Sequence, residues 1–133
     1  MPRALLLEDH KETRDAMRKS LERLDFQVDL AANASTAVKL LTTPKYDVII
    51  MDTGEAQSKE KSYELAKKAL RTNPQALMVA ITAFHSTRLV SEARDFFTMV
   101  SRVLPDRTDY LAEDIQYMLE KTAYRMKIRD RTL

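Results

Sequence analysis

Cysteine and tryptophan are absent from the 133 residues, and glycine occurs once, as Gly54. Without cysteine there are no disulfides, no thiolate nucleophile and no thiolate-held zinc or iron–sulfur centre, which accords with a reducing compartment. Two histidines leave little for a zinc site built on imidazole. A single glycine excludes both Gly-x-Gly-x-x-Gly and the Walker A loop, so dinucleotide-binding and P-loop chemistry are ruled out. Charge of one sign is also lacking: 22 basic side chains face 20 acidic ones, for a net charge of +2, too little for a whole-surface field that would draw nucleic acid or membrane. Long apolar runs are missing as well. Ala4–Leu7 is too short for a secretory signal, and no run approaches the roughly 18–20 residues of a spanning helix. The expectation is a soluble, cytoplasmic protein forming one domain over residues 1–133, with 44% hydrophobic residues to build its core.

What is present is an alternation of periods. Short apolar runs at about Ala4–Leu7, Phe26–Leu30, Val48–Met51, Leu77–Ile81 and Met99–Leu104 predict five strands. Between and after them, amphipathic stretches predict helices over about Lys11–Leu24, Ser35–Leu41, Lys59–Arg71, Ser86–Phe97 and 108–129, the last capped by Asp106 or Thr108. Met17, Met51, Met78, Met99 and Met118 are expected as core fillers. Val48–Met51 is apolar throughout, as a central strand covered on both faces should be. Strict βα alternation describes an α/β fold: a doubly wound, five-stranded parallel sheet of the flavodoxin-like type, which binds ligands at the carboxyl ends of its strands.

Two of these runs end in acids. Leu5-Leu6-Leu7 leads into Glu8-Asp9, and Val48-Ile49-Ile50-Met51 leads into Asp52. If the two strands are parallel neighbours, three carboxylates converge on one small volume, where they repel one another unless a cation joins them. An all-oxygen donor set of this kind suits Mg²⁺ rather than zinc or copper. His10 is expected as a loop residue above this pocket, and His85 as a solvated residue at a helix start.

The ordered set of an acidic pair after strand 1, Asp52 after strand 3 and Thr82 within Ile81-Thr82-Ala83 after strand 4 resembles the receiver domain of two-component response regulators. Asp52 follows Asp9 by 43 residues and Thr82 follows Asp52 by 30, intervals normal for that family. The resemblance covers about residues 3–120. It implies a phosphorelay signalling module rather than an enzyme. Asp52 would accept a phosphoryl group from a sensor histidine kinase or phosphotransfer protein. Mg²⁺ would be held by Asp9, Asp52, the backbone carbonyl of Gly54 and, through water, Glu8. Thr82 would bind the phosphoryl group and switch the face made by the fourth helix, fifth strand and fifth helix, which a downstream effector or a second copy would read. No direct contact with nucleic acid or membrane is implied.

Two positions and one loop depart from the family pattern. Leu104 stands before Pro105 where the family places a phosphoryl-binding lysine, a loss of about 1.5–3 kcal/mol if no other donor replaces it. Arg102, two residues earlier on the same strand face, is a candidate substitute. Ser101 stands where an aromatic switch residue is usual, and the loop Thr53-Gly54-Glu55-Ala56-Gln57-Ser58 lacks the family's Met-Pro and Asp-Gly. The alternative reading is therefore a pseudo-receiver, an interaction module that signals without phosphorylation. A flavodoxin-like electron carrier would need a Gly/Ser/Thr-rich phosphate loop where this chain has Glu8-Asp9-His10-Lys11-Glu12.

The fifth helix is expected to extend past the sheet. Leu111, Ile115, Met118, Leu119 and Met126 form its core stripe, and Tyr110, Tyr117 and Tyr124 a second stripe at heptad spacing suited to a protein interface. Its basic last turns, Lys121, Arg125, Lys127 and Arg129, complement the helix dipole without any need for nucleic acid.

Overall fold

The computed structural model describes residues 1–52, 59–82, 97, 99–102 and 107–132, with the side chains of 59–62, 82, 99–102 and 123–132 outside that description. Strands β1 (Arg3–Leu7), β2 (Gln27–Ala31), β3 (Val48–Asp52), β4 (Leu77–Thr82) and β5 (Met99–Arg102) alternate with helices α1 (Lys11–Arg23), α2 (Ala34–Leu40) and α3 (Lys59–Thr72), and α4 (Thr108–Thr132) follows β5. All strand pairs are parallel, in the order β2-β1-β3-β4-β5. The order reverses between β1 and β3, so their carboxyl ends flank the crevice where such a sheet holds its ligands.

Alternation along each central strand feeds two cores. Ala4, Leu6, Val48, Ile50, Val79 and Ile81 point to one face, where they pack on Met17 and Leu21 of α1 and on Leu111, Ala112 and Ile115 of α4. Leu5, Ile49, Met51, Met78 and Ala80 point to the other, against Ala37 and Leu41 and against Leu65, Ala66 and Ala69 of α3. Because β1, β3 and β4 are covered on both sides, their runs are apolar without a break. Each large side chain buried there contributes about 1.5–3 kcal/mol.

Local chemistry sets the ends. Asn33 caps α2 by accepting from the Thr36 N–H at 2.9 Å. At the end of α1, Asp25 has φ 64°. The Asp25 N–H bonds to Glu22 O at 3.0 Å and the Phe26 N–H to Leu21 O at 3.2 Å, the paired bonds of a Schellman ending. Phe26 therefore closes α1 and packs in the same core as Leu21, and the second strand starts at Gln27, one residue later than expected.

Of the two caps expected for the last helix, Asp106 lies outside the described residues and Thr108 lies inside the helix. It is the first residue of α4, and its buried hydroxyl lies 2.7 Å from Ser20 Oγ and donates to Ala16 O at 3.3 Å, which ties α4 to α1. Arg23 and Asp109 pair beside it at 3.0 Å. At the opposite rim, the Asn73 side-chain oxygen accepts from the Lys45 and Tyr46 N–H groups, both at 2.9 Å, and the Tyr46 hydroxyl donates to Asp29 at 2.7 Å.

The helix expected over Ser86–Phe97 lies outside the described residues except for Phe97, which is buried in the core beneath α2 and α3. The 25 residues of α4 span about 37 Å, longer than any strand, and no helix among the described residues is long and apolar enough to cross a membrane.

Candidate functional site

Parallel pairing of β1 with β3, with Leu7 opposite Met51, brings the two acid-bearing strand ends to one level. Glu8 is buried (5% exposed), Asp52 is half-buried and Asp9 is exposed. One carboxylate oxygen from each lies within 4.8 Å of the others. Glu8 is held at several atoms: its N–H bonds to Ala31 O at 3.1 Å, its Oε1 accepts from the His10 N–H at 3.0 Å, and its carbonyl accepts from Arg14 Nη1 at 3.1 Å.

Electrostatics follow from that crowding. Burial first, then the charge of Asp52, then that of Asp9 push the Glu8 carboxyl up to about 8, against the opposing pull of the His10 N–H. Without a cation, Glu8 is therefore held mostly protonated at neutral pH. A divalent cation among the three acids removes that conflict, and the oxygen-only donor set fits Mg²⁺. His10, at the N-cap position of α1, turns its ring to Thr13 (Nδ1 to Oγ1 3.2 Å) rather than to the acids.

Thr82 ends β4 immediately after Ile81, the register partner of Asp52, so its backbone stands beside the acidic rim. Ser101 and Arg102 of β5 pair with Ile81 and Thr82. The side chains of Thr82, Ser101 and Arg102 lie outside the described residues, as do Gly54 and Leu104 altogether. On α4, Tyr110 and Tyr117 are exposed (67% and 59%), with Lys121 Nζ 5.5 Å from the Tyr117 ring centroid. Tyr124 lies on the same helix, its side chain outside the description.

Arg14 is the contact that the sequence reading missed. Its signal was its place one turn into α1, from where a long side chain leans back over the preceding loop.

A family model for the response regulator receiver domain matches residues 4–101. Among curated proteins no match is found. Among solved structures, a response regulator from Thermotoga maritima superposes with a TM-score of 0.79 at 21% identity, covering 90% of this chain and 98% of its own. A CheY-like receiver domain protein from Methanospirillum hungatei JF-1 gives 0.78 at 19% identity, over 94% and 98%. The response regulator TrrA of Thermotoga maritima, solved in complex with Mg(2+)-BeF, gives 0.72 at 21% identity, over 88% and 98%. At these identities the likeness is one of fold.

Proposed function

The chain belongs to the response regulator receiver domain family, and on that premise we propose that it accepts a phosphoryl group on Asp52, with Mg²⁺ held by Glu8, Asp9, Asp52 and the Gly54 carbonyl. The observation that carries this reading is the meeting of three carboxylate oxygens within 4.8 Å at the rim between β1 and β3. The Mg(2+)-BeF bound to TrrA, a protein of the same fold, supports it.

Bound Mg²⁺ would neutralise the acids and the developing phosphoryl charge. The chain supplies the rest. Asp52 presents a carboxylate oxygen at a strand end, where it forms the new P–O bond as the P–N bond of a partner's phosphohistidine breaks, and the imidazole leaves with the electron pair and takes up a proton. Glu8, fixed by the Ala31 carbonyl and the His10 N–H, would share the metal through water. Thr82, level with this rim, would donate to a phosphoryl oxygen, and the change would pass to the face formed by the region after β4, by β5 and by α4. Tyr110, Tyr117 and Tyr124 would present that face to an effector or a second copy, and a sensor histidine kinase or phosphotransfer protein would be the donor. Residues 1–133 would form one receiver domain with α4 extending past its sheet.

Leu104 and Ser101 favour a second reading, a pseudo-receiver that signals through the same face without phosphate. Acetyl phosphate or beryllofluoride with Mg²⁺, followed by intact mass and amide NMR, separates the two. The first reading expects an adduct that Asp52→Asn abolishes; no adduct and no shift leave the second.

A further inference from the structure

Arg14 is the fourth helical residue of α1, and its N–H makes the first helical bond, to His10 O at 2.9 Å. Helical side chains lean toward the N-terminus, so from this position a guanidinium reaches back over the turn that leads into the helix. Here a single nitrogen, Nη1, donates to two successive carbonyls, those of Glu8 at 3.1 Å and Asp9 at 3.5 Å.

The two acids depend on that bridge unequally. Glu8 is already fixed through its N–H and its carboxylate. Asp9 is exposed, so the direction of its side chain follows from how its peptide units are set. Without a fixed turn, a metal would have to order Asp9 as it bound, and that entropy would be lost from its affinity.

We infer that Arg14 is a positioning residue for the acidic site, locking the Glu8–Asp9 turn through its carbonyls so that both carboxylates face a divalent cation before it arrives. The inference rests on the reading of this rim as a Mg²⁺ site. The role assigned to the guanidinium is geometric, through the two hydrogen bonds from Nη1, and is distinct from that of a bystander counter-charge.

The two roles have opposite signs. Deleting a bystander cation tightens binding of another cation, whereas deleting a positioning contact weakens it, commonly by about 10–100-fold for groups that orient metal ligands. The test is a calorimetric Mg²⁺ titration of the full chain and of Arg14→Ala and Arg14→Lys, with hydrogen exchange of the His10 amide in metal-free protein. Arg14→Ala should bind about tenfold more weakly and exchange the His10 amide faster. Arg14→Lys keeps the charge, but its ammonium lies one bond nearer the backbone than Nη1 and does not reach the point from which that one nitrogen bridges both carbonyls, so it too should bind more weakly than wild type. It carries the test if the alanine variant fails to fold. Binding equal to or tighter than wild type in either folded variant, or an unchanged His10 exchange rate, overturns the role of Arg14. A wild-type protein that takes up no Mg²⁺ overturns the site itself, a failure visible before any variant is compared.

Discussion

Leu7 of β1 and Met51 of β3 are register partners in the parallel ladder, so the chain leaves both strands at the same height and the next residues, Glu8 and Asp52, emerge together. Parallel pairing is what makes this consequential. An antiparallel pair in the same register would put the second acid at the far rim, about 17 Å away for a five-residue strand. The site is thus a product of topology, since a cluster of like charges forms only where the sheet forces its members together.

That crowding predicts how the protein responds to metal. Mg²⁺ at about 100 times its dissociation constant should stabilise the fold by about 2.7 kcal/mol, a rise in Tm of roughly 10 °C for a chain of this size. Asp52→Ala should abolish the rise and, by removing the charge that most opposes ionisation of the buried Glu8, increase the Tm of the metal-free protein. Thermal melts of both proteins with and without Mg²⁺ decide it. A metal-dependent rise that survives in Asp52→Ala would place the cation elsewhere.

Asp25 offers a test of the scaffold alone. Its φ of 64° puts a residue with a Cβ in the left-handed region that ends α1. For most L-residues that conformation costs about 1–2 kcal/mol, less for Asp, while glycine adopts it freely but loses more entropy on folding. Since the side chain is exposed, Asp25→Gly should gain about 0.5–1 kcal/mol, and Asp25→Val should lose stability. Denaturant melts should rank glycine above aspartate above valine; valine equal to aspartate would contradict the strain argument.

Asn73 should be among the least replaceable polar residues. Its side-chain oxygen satisfies two N–H groups, of Lys45 and Tyr46, each at 2.9 Å, and the residue is 4% exposed. Asn73→Ala leaves both donors without their acceptor, at about 1–3 kcal/mol for each one that stays buried. A loss below about 1 kcal/mol in equilibrium unfolding would mean that water replaces the amide.

The sheet and the acidic rim were legible in the sequence because each rests on local order. Apolar runs of strand length alternate with helical periods, and Glu8, Asp9 and Asp52 end two of those runs. What escaped was chemistry between distant residues. Asn73 bonds to residues 27 and 28 positions away, and Ser20 meets Thr108 across 88 positions, so no window along the chain contains both partners. Thr108 looked like a cap because threonine often is one, but the approach of α1 and α4 engages its hydroxyl elsewhere. The helix expected through Leu24 ends at Arg23, one residue earlier, because the glycine that usually marks such an ending is replaced by Asp25.

The pH dependence of stability should separate metal-free from metal-bound protein. In the folded, metal-free chain the Glu8 carboxyl titrates near 8 against an ordinary value of 4.5, because burial and then the Asp52 charge oppose ionisation. Between those values the folded state holds more protons than the unfolded one, so stability falls as pH rises. Metal-free protein should therefore lose several degrees of Tm on going from about pH 5 to pH 8. Glu8→Gln, which stays neutral, should flatten that slope. With Mg²⁺ present the sign reverses: the bound cation favours the ionised acids, its affinity grows as they deprotonate, and the gain in Tm from metal should be larger at pH 8 than at pH 5. Melts across that range, with and without Mg²⁺, give both slopes. A metal-free slope unchanged by Glu8→Gln would show that the buried acid is not the group whose proton the fold retains.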